Sequence, residues 1–290
     1  MGFYDIITSV YWGGFMADDL YYDVGKAVAL CFADEDDYYT RIYSRSNENL
    51  KALFSNFEVK GKDVLSVLGS SDQVFTARYL GAKSVDSFDI NKLALYYYYL
   101  RTWLIRYRNM EYPSRNFCEG FDKRIWDFIE EVRPLNEAEK YAKNFWLTYL
   151  RRTNGLPNSY LFIRTGVNYP NIFSDDLGKV LADDIDFKHA NIYREIDCDK
   201  QYDVMILSNI LEYTTSHEDY VGLVKNINKL LRDDGICVCS YMMDDYVSDD
   251  HYEEVLEFRK LGLEVEEFHS RYSDSFGFKK DVGYAYRKKR

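Results

Sequence analysis

Three short polar stretches follow apolar runs and carry residue types that can hold a ligand. They are Gly69-Ser70-Ser71-Asp72, Asp89-Ile90-Asn91 and Ser208-Asn209. Gly69 has no Cβ, so the backbone there can approach a ligand closely. The N–H groups of a turn that opens a helix suit a carboxylate or a phosphate. Asp89 stands 20 residues after Gly69, a spacing that suits a carboxylate bridging the two hydroxyls of a ribose. Ser208 and Asn209 place short polar groups just past a buried strand, where the reacting end of a ligand would lie. Each stretch also has a purely structural reading. Gly69 fits a plain strand-to-helix turn, Asp89 fits a cap on the helix opening near Asn91, and Asn209 and Glu212 fit local caps and turns. The first turn has one glycine, so the G-x-G-x-x-G dinucleotide fingerprint is not met. That counts against a nicotinamide-dependent oxidoreductase.

Metal and thiol chemistry find less support. His189, His217, His251 and His269 form no HxxxH or HxH pair, so no metal site is expected. The five cysteines, Cys31, Cys118, Cys198, Cys237 and Cys239, are odd in number and lack a CxxC spacing. They read as small buried apolar side chains in a reducing compartment.

The elements that must position these residues follow from periodicity. Residues 63–68 (DVLSVL) form a short, nearly continuous apolar run, the pattern of a strand buried on both faces. A helix is expected over 73–80, closed by Gly81 at a C-cap position. A strand over 84–89 and a long helix over 91–108 come next; the helix contains Tyr96, Tyr97, Tyr98 and Tyr99. Helices are expected over 121–132 and 136–152, and a Gly-, Pro- and Asn-punctuated loop over 154–175. Alternation resumes with strands over 190–196 and 202–207. A helix over 217–231 follows, closed by Asp233-Asp234-Gly235, and then a strand over 236–242. A helix over 250–261 is capped by Gly262, and two strands over 263–269 and 282–287 end the chain. Residues 1–60 read as mostly helical, with 25–32 and 47–57 showing apolar helical spacing. The order implies an α/β fold, a mainly parallel sheet with helices on both faces and a closing hairpin. The expected organisation is a helical segment over 1–60 and a domain over 61–290 that carries a mostly helical insertion at 111–188.

The chain has 290 residues, 37 Lys+Arg against 48 Asp+Glu, and a net charge of −11. This acid excess argues against a general nucleic-acid binder, which needs clustered Lys and Arg. Hydrophobic residues make up 47% and charged residues 29%, which excludes a disordered or collagen-like chain. Aromatics reach 17%, led by 28 Tyr. Those in 1–60 and 111–188 fit either core packing or a lid and acceptor pocket. No apolar run reaches the length of a transmembrane helix. The amino terminus lacks the basic region of a signal peptide, so a cytoplasmic location is expected.

Taken together, residues 64–72, 85–91, 202–213 and 230–242 resemble the ordered motifs of class I S-adenosylmethionine-dependent methyltransferases. These have Rossmann-like seven-stranded sheets ending in a β-hairpin. Within that superfamily, LGSSDQVFTARYLGAKSVDSFDIN and YDVMILSNILEY are most similar to the branch containing the betaine-lipid 3-amino-3-carboxypropyl transferases and uncharacterised relatives. The resemblance covers about 63–89 and 190–287 as a fold. It implies S-adenosyl-L-methionine as cofactor, with Gly69, Ser70 and Asp72 near its methionine part and Ser71 among the cofactor-binding residues. It implies Asp89 at the ribose hydroxyls, Ile90 against the adenine and Asn91 completing that motif. Asp197, or Asp199 in an alternative register, would meet the adenine amine, and Ser208 and Asn209 would border the sulfonium. The implied activity is methyl transfer to an unidentified small-molecule or protein acceptor. Two alternatives are aminocarboxypropyl transfer from the same cofactor and a non-catalytic cofactor-binding module.

Overall fold

The computed structural model describes residues 24–31, 41–109, 123–154, 161–163, 172–181, 185–194, 196–214, 216–240, 258–270 and 281–288. The chain divides into two compact units, Met1–Ser44 with Asn91–Arg164, and Arg45–Ile90 with Thr165–Arg290.

The first unit holds α1 (Val24–Leu30), β1 (Ile42–Tyr43), α4 (Leu93–Arg108), α5 (Lys123–Glu131), α6 (Glu137–Arg152) and β4 (Phe162–Ile163). β1 and β4 pair in parallel. Helix α4 buries every residue from Leu93 to Ile105, as a helix apolar all round must. Its four consecutive tyrosines therefore pack inward. Tyr97 donates its hydroxyl to the Ser44 carbonyl (2.8 Å). Tyr96 stacks on Phe145 with centroids 4.8 Å apart, and its carbonyl accepts from the fully buried Trp146 Nε1 (2.9 Å). Helix α6 starts at Asn136, whose side chain accepts from the Glu139 N–H (2.8 Å), an N-cap bond. Buried Glu139 also pairs with Arg106 at 3.0 Å. These aromatics are core packing.

The second unit holds α2 (Leu50–Phe54), β2 (Asp63–Val67), α3 (Asp72–Tyr79), β3 (Ser84–Asp89), β5 (Phe187–His189), β6 (Tyr202–Ser208), α7 (His217–Leu230), β7 (Leu231–Ser240), β8 (Leu263–Ser270) and β9 (Asp281–Lys288). One seven-stranded sheet runs in the order β5-β3-β2-β6-β7-β9-β8. Neighbours from β5 to β7 are parallel, and β9 is antiparallel to both β7 and β8. This is the mainly parallel, Rossmann-like sheet with a closing hairpin that the residue pattern implies. Gly81 ends α3 in the left-handed region (φ 86°), as a C′ glycine does.

Besides β1, which falls in the segment expected to be mostly helical, and α2, which is shorter than the run over 47–57, three elements differ from expectation. The third strand lies at Phe187–His189, upstream of 190–196. There the Asn191 side chain accepts from the Tyr193 N–H (2.9 Å) and its carbonyl from the Arg194 N–H (2.9 Å), which turns the chain out of the sheet. The turned stretch packs on α7, where a Cβ at Gly222 would fall 2.0 Å from the Tyr193 carbonyl oxygen. Second, Asp233-Asp234-Gly235 lies inside β7 and does not close α7. The register jumps from Tyr202↔Leu231 to Val204↔Ile236, so these residues bulge out of the ladder. Third, Phe162–Ile163 in the expected loop forms β4. The expected helix over 250–261 is helical at 258–260; its residues 250–257 lie outside the described set. So do 1–23, 32–40, 121–122, 241–242, Cys118 and His251. The four described cysteines are free and buried. Among the described residues, no helix is long and apolar enough to cross a membrane.

At the amino ends of the strands, charges meet in pairs. Buried Asp63 accepts from Ser84 Oγ (2.8 Å), Arg232 (2.9 Å) and Lys83 (3.1 Å). The Ser84 hydroxyl and then the two cations outweigh burial and hold its carboxyl at about 2. Asp203 pairs with the same Arg232 at 2.7 Å. Asp86 takes Lys200 (2.7 Å) and the Tyr202 hydroxyl (2.9 Å). Burial, and then the Cys198 thiol and Asp86, push the Tyr202 phenol up.

Candidate functional site

The sheet order sets where a ligand can lie. From β2 the sheet grows one way through β3 and β5 and the other way through β6 and β7. The switch therefore falls between β2 and β6, and the crevice outside their carboxyl ends is the expected ligand position. Gly69 to Asp72 follow β2, and Ser208 ends β6.

Backbone strain gathers at this point. Four described non-glycine residues have positive φ. Asn109 and Asn154 stand at helix ends, and Asn tolerates that region. The other two are Ser71 (φ 73°) and Ser208 (φ 55°), one on each side of the switch. A serine held there costs of order 1–3 kcal/mol, and such strain clusters at ligand sites. Gly69 is also left-handed (φ 47°), and a Cβ built on it meets nothing within 4 Å. It is thus a turn glycine with open space before it.

The turn is tied down by carboxylates. Asp89 Oδ2 accepts from the Gly69 N–H at 2.8 Å, which joins the ends of β2 and β3. The first helical N–H of α4, that of Leu93, is taken by the Asn91 side chain (2.9 Å), whose amide donates to the Arg41 carbonyl (2.5 Å). Asn91 therefore does the capping that the residue pattern left open for Asp89. Asp72 is fully buried and accepts from Ser46 N–H (2.5 Å) and Ser70 Oγ (2.9 Å). Ser71 Oγ is buried without a hydrogen-bond partner among the described residues.

The remaining expected residues lie as follows. Ile90 is half-buried, and its carbonyl stands 2.9 Å from His189 Nε2. Asn209 is half-buried and begins a short 3-10 turn, Ile210–Tyr213. Asp197 and Asp199 are exposed. They flank Cys198 on the run from α7's last turns, where Ile196 meets Asn226 and Lys229, to the amino end of β6. The fold thus joins Gly69, Asp72, Asp89 and Ser208 at strand ends and does not bring Asp197 to them. A separate cavity of about 380 Å³, lined in part by Tyr193, Arg194, Glu218 and Lys225, contains none of these residues. Among the described residues, no group of three or more His, Cys, Asp or Glu is placed to hold a metal ion.

Sequence reasoning missed a second carboxylate at the strand ends. Glu48 precedes α2 and is 2% exposed. Its Oε1 accepts from Ser208 Oγ (2.6 Å) and Ser240 Oγ (2.5 Å), and its Oε2 from Gln73 Nε2 (2.7 Å). Read as part of a helical run over 47–57, it carried no signal. The local cue was Asn49, which starts the helix only at Leu50 by capping α2 through the Ala52 N–H (3.1 Å) and so leaves Glu48 outside it. His189, at the carboxyl end of β5, was missed because that strand was expected further on.

No protein-family model matches the chain. No curated protein matches it either. Three solved structures are similar to it at low identity. The glycopeptide N-methyltransferase MtfA, solved with S-adenosyl-L-methionine, is 9% identical over 87% of this chain and 96% of its own, with a TM-score of 0.45. A ribosomal protein L11 methylase from Lactobacillus delbrueckii subsp. bulgaricus is 16% identical over 82% of this chain and 77% of its own, at 0.40. The N-methyltransferase NodS from Bradyrhizobium japonicum WM9, solved with S-adenosyl-L-homocysteine, is 10% identical over 99% and 98%, at 0.38.

Proposed function

We propose that this chain is an S-adenosylmethionine-dependent methyltransferase acting on an unidentified acceptor. The observation that carries the reading is the concentration of left-handed residues, Gly69, Ser71 and Ser208, at the two strand ends flanking the switch in strand order. The residues there fit such a cofactor. The space in front of Gly69 is open, and the buried Ser71 hydroxyl has no other hydrogen-bond partner among the described residues. In this reading Gly69, Ser70, Ser71 and Asp72 hold the methionine part. Asp89 holds the ribose, Ile90 and Asn91 flank the adenine side, and Ser208 and Asn209 border the sulfonium. Asp197 is kept in the adenine role only if the loop carrying it moves toward the strand ends on binding.

A bound sulfonium supplies an already activated carbon, so the chain's own work is to align donor and acceptor. That work needs no catalytic triad. A second reading, transfer of the aminocarboxypropyl group from the same cofactor, is favoured by the one-glycine turn followed by Asp89-Ile90-Asn91. Calorimetry with S-adenosylmethionine and S-adenosylhomocysteine tests the cofactor, and no binding at millimolar ligand refutes both readings. Product analysis then separates them. Methyl transfer yields S-adenosylhomocysteine, and aminocarboxypropyl transfer yields methylthioadenosine.

A further inference from the structure

We infer that Glu48 is the counter-charge for the cationic centre of the ligand bound at the strand ends. Resting on the function proposed above, that centre is the sulfonium. The argument begins with four of this chain's other buried acids, each of which meets a cation. Asp63 has Lys83 and Arg232, Asp86 has Lys200, Glu139 has Arg106 and Asp219 has Arg194 (3.3 Å). Such pairing offsets the cost of burying a carboxylate.

Glu48 differs from these four. Its carboxylate is as buried as theirs, yet every donor to it among the described residues is neutral. Besides Ser208, Ser240 and Gln73, only Ser46 Oγ approaches, at 3.4 Å. Hydroxyls and an amide orient the charge without cancelling it. A second observation marks the place as a ligand site. The Gln73 amide that donates to Glu48 is itself buried, and its Oε1 has no hydrogen bond among the described residues. The hydroxyl that bonds Glu48 most directly from β6 belongs to strained Ser208, the residue assigned to border the sulfonium. An uncancelled negative charge and spare oxygen acceptors suit a cation, and disfavour a phosphate or carboxylate at that position.

The consequence is discrimination by charge. S-adenosylmethionine carries the sulfonium, and S-adenosylhomocysteine is the neutral thioether with the same nucleoside and amino-acid groups. Calorimetry on the full chain should show S-adenosylmethionine binding at least about tenfold more tightly. Glu48→Gln, which is isosteric, should remove most of that preference. Its affinity for S-adenosylmethionine should fall about tenfold and that for S-adenosylhomocysteine change by less than about twofold. Ser240→Ala keeps the charge and should keep the preference. Equal weakening of both ligands in Glu48→Gln, or no weakening, overturns the assignment and leaves the proposed function standing. Equal affinity for the two ligands in the wild type overturns it even if the variant fails to fold. Absence of any binding by the wild type overturns the proposed function as well.

Discussion

At the amino ends of β2 and β6, Asp63 and Asp203 share the guanidinium of Arg232, with Lys83 and Ser84 completing the group. At the opposite end of the sheet, Glu48 is met by the hydroxyls of Ser208 and Ser240, at the carboxyl ends of β6 and β7, and by the Gln73 amide of α3. The backbone differs in the same sense. Ser71 and Ser208 lie in the left-handed region beside the carboxyl ends. One end of the sheet is electrostatically closed and serves stability. At the other, among the described residues, the carboxylate meets neutral donors and the backbone is strained, and strain of that kind clusters at functional sites.

The sharpest way to break this contrast is Gly69→Val. A β-branched residue at φ 47° is strained, which should cost about 1–3 kcal/mol of stability, and its side chain enters the open space before the turn. We expect binding of S-adenosylmethionine to be lost and the unfolding free energy to fall. Normal calorimetric binding by this variant would remove the cofactor from the turn.

Asp63→Ala should do the opposite. It strands Arg232 and Lys83, both partly exposed, so a loss of about 2–3 kcal/mol is expected in urea unfolding. Cofactor affinity should stay within about twofold. A drop in affinity matching the drop in stability would mean that the two ends are not independent.

Asp89→Ala should weaken cofactor binding by about 1.5–3 kcal/mol, the worth of a charge-assisted hydrogen bond. It should cost about 1 kcal/mol of stability as well, through the lost Gly69 N–H bond. A stability loss with unchanged affinity would reduce Asp89 to a strut between β2 and β3.

The smallest effect is a pH dependence. The Asp63 carboxyl is held at about 2, below its ordinary 3.8. Between those values the unfolded chain binds the proton and the folded one does not, so stability rises with pH across that window. The contribution is complete above the ordinary value and is lost as pH falls toward 2. Thermal unfolding followed over this range should show a slope that Asp63→Asn flattens. An identical slope in the variant would assign the acid sensitivity to other carboxylates.

Much of this molecule was legible in the chain. Strand β3 lies where its residues place it, and β2 and α4 differ only at their ends. The reasons are local: a both-faces-apolar run, a glycine stop and Asn91 before a long apolar helix. The group Gly69, Asp72 and Asp89 was legible too, because a strand end followed by a helix fixes backbone geometry within a few residues. The sequence also determined the sheet class, since alternating strands and helices can bury their faces in few ways.

Tertiary structure decided what local pattern cannot encode. The third strand moved to Phe187–His189 because Asn191 turns the chain and Asn226 of α7 donates to the Ile192 and Arg194 carbonyls. The acids of β7 stayed in the strand because a bulge absorbs them. Above all, Glu48 became a buried carboxylate through Ser208 and Ser240, 160 and 192 residues away. No spacing rule joins residues that distant. They meet only because parallel β2, β6 and β7 deliver their carboxyl ends to one edge of the sheet, and the segment before α2 sets Glu48 against that edge.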